Sequence, residues 1–114
     1  MKVFIICPVR DVTEEEKQYI KSYVLNLEQQ GNNVHWPQRD TNQVDYSGGL
    51  RICIDNRNAI CDADEVHVYW NGKSQGSFFD LGMAFAFEKP IKLINKIEAT
   101  ESKGFNNVLL KLSN

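Results

Sequence analysis

Residues 74 to 86 read SQGSFFDLGMAFA, where two hydroxyls, a glycine and one carboxylate lead into a strongly apolar run. Ser77 and Asp80 have the S-x-x-D spacing of a capped helix start, which puts Asp80 in the first turn. The positive end of a helix dipole stabilises a carboxylate there in its ionised form. The unpaired N–H groups of the same turn attract an anion such as phosphate. Gly76 lets the backbone approach that anion, and Ser74 and Ser77 offer hydroxyl donors. An ionised carboxylate beside an anion hole has the parts of a nucleophilic site, yet the same residues also serve as a plain helix cap. The motif alone leaves both readings open.

Something must hold these residues together in space. KVFIIC (2 to 7) is a short β-branched and aromatic run of the kind found in a central strand. Thr13 and Glu16 form a capping box, Ile20, Tyr23, Val24 and Leu27 repeat at helical spacing, and Gly31 supplies a stop, which predicts a helix over 13 to 30. NVHW (33 to 36) is a second strand, followed by the polar stretch PQRDTNQVDYSGG. An apolar stripe through Ile52, Ala59, Ile60 and Ala63 predicts a helix over about 48 to 62. EVHVYW (65 to 70) is a third strand, NGKSQG a loop, 77 to 88 a third helix and PIKLIN a fourth strand. The tail from 107 to 113 fits a strand or a short helix equally.

This alternation predicts one domain over 1 to 114, an α/β chain with a small flavodoxin-like three-layer sandwich and a mainly parallel sheet of four or five strands. Such sheets bind ligands beyond the carboxyl ends of their strands, at a switch in strand order. That rule selects CPVRD, PQRDTNQ and NGKSQGS.

Composition narrows the partners. A net charge of −2 gives no basic footprint for a nucleic-acid polymer. The apolar run at the start is far too short for a membrane span, so no membrane partner is expected. Cys7, Cys53 and Cys61 form an odd set with no C-x-x-C pair, in segments that otherwise read as core, which points to reduced thiols in a cytoplasmic protein. His35 and His67 stand apart without ligand-spaced partners, so no metal and no cofactor are expected.

Taken together, VFIICPVR, ICDADEVHVYW, the run from Ser74 to Ala86 and KPIKLIN resemble the nucleoside 2-deoxyribosyltransferase family, including its branch of nucleoside 5′-monophosphate N-glycosidases. The resemblance covers most of the chain. It implies that Asp80 stands at the position of the family's acidic nucleophile, with Gly76 before it and Leu81 and Gly82 after it. It implies a small-molecule nucleoside or nucleotide substrate, a glycosyl-enzyme intermediate and a homodimer or higher homo-oligomer. Gly82 would let helix and sheet approach closely. Ser74 stands where the monophosphate glycosidases have a phosphate-contacting serine and the deoxynucleoside transferases an aspartate. Arg10 matches an arginine that would contact base or phosphate. Asn56 stands where the family has an aspartate, so it can hydrogen-bond sugar or base but cannot protonate the leaving group. Asp64 matches the family's Ala-Asp pair. The family's usual nucleophile is glutamate, one C–C bond or about 1.5 Å longer than aspartate. An alternative reading is therefore a catalytically weak or inactive nucleotide-binding or sensing module.

Arg39 and Asp40, with Asn42, Gln43 and Asp45, form a polar set able to read a base edge or simply to cover a surface loop. Trp36, Tyr69 and Trp70 close strands, where they can stack on a base or pack in the core. The helix FFDLGMAFAFEK is apolar nearly all round, which predicts burial on two sides and hence a subunit interface. Receiver-like phosphate chemistry fits poorly, because the loop after the first strand offers only Asp11.

Overall fold

The computed structural model describes residues 1–113. The first apolar run forms β1 (Lys2–Ile6), whose last four residues are buried. It pairs in parallel with β2 (Asn33–His35) on one side and β3 (Glu65–Val68) on the other, and β3 pairs in parallel with β4 (Ile91–Leu93). The order β2-β1-β3-β4 reverses direction between β1 and β3. A cleft therefore opens beyond the carboxyl ends of those two strands.

The pleat divides β1 between two cores. Val3, Ile5 and Cys7 pack with Ile20 and Val24 of α1 (Glu14–Gln29). Phe4 and Ile6 pack on the opposite face with Ile60 of α3 (Leu50–Asp62) and with Leu81 and Ala84 of α4 (Gln75–Ala86). Leu109 of α5 (Phe105–Leu112) joins this second core. Helices thus cover both faces, as expected of a flavodoxin-like sandwich, with four strands and no antiparallel pair among the described residues. The tail left undecided by the sequence is helical. No helix among the described residues is long and apolar enough to cross a membrane.

Three local expectations change. The polar stretch after β2 contains a one-turn helix, α2 (Pro37–Asp40), started by proline at its first position. Gly82 does not mediate helix–sheet approach: it lies on the exposed face of α4, where an added Cβ would meet nothing within 4 Å. Ala84, fully buried, is the small residue that faces the core. Of the cysteines only Cys7 is buried, while Cys61 is exposed on α3.

Candidate active site

Helix α4 starts one turn earlier than its S-x-x-D spacing predicts. Its N-cap is Ser74, whose hydroxyl oxygen accepts the Ser77 N–H at 3.2 Å. Asp80 consequently sits in the second turn, where it caps nothing. Ser74 wins because its extended backbone (φ −83°, ψ 114°) suits an N-cap, while Ser77 is already inside the helix and 97% buried, being 3% exposed. The Ser77 hydroxyl is buried without a partner.

This shift alters the electrostatics of Asp80. Its side chain is only 7% exposed, and burial pushes the carboxyl up to about 7 with no hydrogen bond or cation to oppose the shift. The expectation that the helix dipole keeps Asp80 ionised is thereby corrected: dipole stabilisation fades beyond the first turn, and desolvation dominates.

Asp80 lines a cavity of about 620 Å³. Cys7, Val9, Arg10 and Asp11 form one wall, from the end of β1 and its following loop. Gly49, Ile52, Cys53 and Asn56 supply a second wall from α3, and Gly49 enters that helix at φ 109°, a left-handed conformation that suits glycine. Asn71, Lys73, Ser74, Gln75, Gly76 and Phe79 line the cavity from the loop after β3 and the start of α4, and Pro37 and Gln43 from the segment after β2, so Gln43 is the member of that segment's polar set that reaches the cavity. An added Cβ on Gly76 would meet only Ser74 Oγ at 3.9 Å, so any demand for glycine comes from the cavity side. The N–H groups of Gln75 and Gly76 are in the first turn and have no intrahelical acceptor.

Asn56 is 6% exposed, and its Oδ1 accepts the Thr41 hydroxyl at 2.8 Å. Cys7 is a poor rival nucleophile: burial pushes its thiol up to about 12, with the Asp80 charge adding to the effect. Burial likewise raises Cys53, again with a contribution from Asp80. The depression along α1, lined by Tyr19, Tyr23 and neighbours on that helix alone, has none of this convergence.

The structure thus brings together Arg10, Asn56, Ser74, Gly76 and Asp80 on one cavity, whereas Ser77 is buried and is not part of its lining. It keeps four other residues apart. Arg39 pairs with Glu28 at 3.0 Å and with Asp40 at 2.8 Å, and Asp40 also accepts the Trp36 N–H. These two residues fasten α2 to α1 and β2 and line no part of the cavity. Asp64 lies at the amino end of β3, where its carboxylate accepts the Lys2 N–H at 2.7 Å. Trp70, 3% exposed, packs edge-on against Phe78, and its indole N–H donates to Asn106. Trp36 is buried in the α1-side core.

Lys73, Phe79, Cys53 and Cys7 are cavity residues that the sequence did not single out. Lys73 had a usable signal, since it lies in one of the three loops selected by the strand-end rule.

No model of a known protein family and no curated protein matches the chain. Solved structures do. One is described as a 2-deoxyribosyltransferase from the psychrotolerant bacterium Bacillus psychrosaccharolyticus, with TM-score 0.70 and 16% identity over 98% of this chain and 96% of that one. Another is the CMP N-glycosidase BcmB of Clostridium botulinum, with TM-score 0.69 and 23% identity over 100% of this chain and 84% of that one. A 2-deoxyribosyltransferase from Leishmania mexicana matches at TM-score 0.61 and 18% identity, over 81% of this chain and 62% of that one. These are proteins of the kind that the Ser74 to Ala86 run resembles, and at such identities the likeness is one of fold.

Proposed function

We propose that this protein cleaves or exchanges the N-glycosidic bond of a nucleoside or nucleoside 5′-monophosphate, with Asp80 as nucleophile. The observation that carries the reading is the unpartnered carboxylate of Asp80 on the wall of a cavity that also holds Arg10, Lys73, Ser74 and the open start of α4. Asp80 attacks C1′ as the base departs with the electron pair of the C1′–N bond, giving a glycosyl ester. Water then releases the sugar, or a second base takes it. Arg10, Lys73 and the Gln75 and Gly76 N–H groups are suited to a 5′-phosphate, and Asn56 to the sugar or base.

Likeness of fold to a 2-deoxyribosyltransferase and a CMP N-glycosidase supports this substrate class. Free thiols at Cys7, Cys53 and Cys61 accord with a cytoplasmic setting. Exposed Phe79 and Phe85 on α4 and Phe87 at its C-cap support assembly as a homo-oligomer.

A second reading, a nucleotide-binding module of little activity, draws on two features of Asp80. Its carboxyl is pushed up to about 7, so much of it is neutral at physiological pH. It is also about 1.5 Å shorter than glutamate, and a misplacement near 1 Å can cost ~100-fold in rate. Incubation with ribo- and deoxyribonucleosides and their 5′-monophosphates, followed by chromatography of free base, separates the two. Base release abolished by Asp80→Ala supports the enzyme; release unchanged by it removes Asp80 from the chemistry. Binding without release from any substrate favours the module.

A further inference from the structure

Asn56 is held by a chain of hydrogen bonds that starts outside the cavity. His35, at the end of β2, places Nε2 2.8 Å from Thr41 Oγ1, and Thr41 Oγ1 lies 2.8 Å from Asn56 Oδ1. Thr41 is 4% exposed and follows α2 directly, its backbone N–H closing that turn on the Pro37 carbonyl. The His35 ring is stacked on Phe4 at 5.3 Å with an interplanar angle of 11°, so it has little freedom to turn.

We infer that His35 and Thr41 are positioning residues that fix the Asn56 carboxamide with its NH₂ group toward the cavity, as a hydrogen-bond donor to the departing base. This deepens the glycosidase reading and rests on it for the identity of the acceptor.

A hydroxyl has one hydrogen to give. If Thr41 donates to Asn56 Oδ1, it must accept from His35, whose hydrogen then sits on Nε2. Burial lowers the His35 pKa, and the neutral ring with that tautomer is all the relay needs. Run in reverse, the chain would turn Asn56 Oδ1 into the cavity that Asp80 also lines, leaving the carboxamide an acceptor where the departing base brings negative charge. The forward direction gives the cavity a donor matched to charge that appears only as the bond breaks. The C1′–N electron pair leaves with the base, and its charge spreads onto ring nitrogen or carbonyl oxygen. A carboxamide N–H stabilises that charge without surrendering its proton, and the base takes a proton from water afterwards. Asn56 can thus assist departure where a titrating acid is missing. The segment after β2 then contributes to the site twice, directly through Pro37 and Gln43 on the cavity wall and from behind through Thr41, although Arg39 and Asp40 do not reach it.

Thr41→Val keeps the shape and removes the hydroxyl; Thr41→Ser restores it. With a substrate that the wild-type protein cleaves, Thr41→Val should lower kcat for base release about tenfold while KM stays within about threefold, and Thr41→Ser should recover most of the rate. Wild-type kcat in Thr41→Val, or equal losses in both variants, would overturn the inference. A second measurement needs no turnover. The Asn56 side-chain amide pair in a ¹⁵N–¹H spectrum, identified by its loss in Asn56→Asp, should shift in Thr41→Val and return in Thr41→Ser. An unmoved pair overturns the relay whatever the activity. If the wild-type protein releases no base from any common nucleoside 5′-monophosphate while the pair responds to Thr41→Val, the glycosidase reading and the base-donor role fall, and the positioning of Asn56 stands.

Discussion

The Ser74 hydroxyl oxygen accepts the backbone N–H of Ser77, and this one contact places the open N–H groups at the start of α4 a full turn before Asp80. The two halves of the site are thereby separated. The open N–H groups of Gln75 and Gly76 are at the cavity wall, while Asp80 lies a turn further on, where burial raises its pKa. A phosphate bound at the helix start would otherwise repel a carboxylate in the same turn.

Ser74 caps α4, and under the proposed function it also meets the phosphate; substitution can separate the two. Ser74→Ala removes the cap and should cost about 1 kcal/mol of stability. Ser74→Asp keeps a good cap but puts a negative charge at the phosphate position. In thermal unfolding Ser74→Asp should stay close to wild type. In calorimetric titration it should weaken a nucleoside 5′-monophosphate at least about tenfold more than the matching nucleoside.

Asp80→Asn preserves shape and removes the charge. Base release should fall by at least ~1,000-fold, as for other enzymes deprived of a nucleophile, while nucleotide affinity changes only a few-fold. Single-turnover chromatography and a binding titration on the same samples check both halves.

The sequence displayed the fold more fully than the site because periodicity is a local property and burial partners are not. β1, α1 and β3 were legible from short runs of residues, down to the Thr13–Glu16 capping box, in which both reciprocal bonds are present. The start of α4 was misread because Ser74 and Ser77 are both acceptable caps by type, and only backbone geometry distinguishes them. Arg39 and Asp40 have the polarity of a ligand-reading pair, but they pair with each other, and the other partner of Arg39, Glu28, sits on α1, eleven residues earlier in the chain. Trp70 ends a strand as a stacking residue would, and its engagement with Asn106 depends on where α5 docks. Phe79 is invisible as a site residue until the α4 register is known, whereas Lys73 lies in a loop that the strand-end rule selects.

Trp70 and Asp64 should behave as residues of the framework. Trp70→Phe removes a buried hydrogen bond to Asn106 and leaves space beside Phe78, a loss of about 1–3 kcal/mol. Asp64→Ala removes the acceptor of the Lys2 N–H at the amino end of the sheet. Both should lower the unfolding midpoint in urea and leave base release at 25 °C within about twofold, a pattern of surface or framework change away from the site.

Helix α4 carries exposed Phe79 and Phe85, at 58% and 60%, on either side of exposed Gly82. A small residue between two aromatics allows a second helix to come close, and the same face in a second copy of this chain is the simplest cover. Light scattering at micromolar concentration should report a homo-oligomer, and Phe85→Glu should convert it to monomer. Gly82→Ala provides a companion test. On an open helix face it would add roughly 0.5–1 kcal/mol of stability, whereas in a close helix pair it should weaken association.

The buried carboxyl of Asp80 sets stability and activity against each other in pH. Its pKa is raised from 3.8 to about 7 on folding, so the folded chain holds a proton that the unfolded chain has released across that interval. The sign follows: this group favours folding least at high pH, and its contribution to stability falls as pH rises from about 4 to about 7 and then levels off. At about 1.4 kcal/mol per pKa unit, the full change is on the order of 4 kcal/mol. Nucleophilic attack needs the ionised form, so kcat/KM for base release should instead climb through pH 7 and then level off. Urea unfolding of Asp80→Asn should show a much flatter dependence between pH 4 and 8 and greater stability than wild type at pH 8. Equal slopes in the two proteins would mean that Asp80 is not the titrating group.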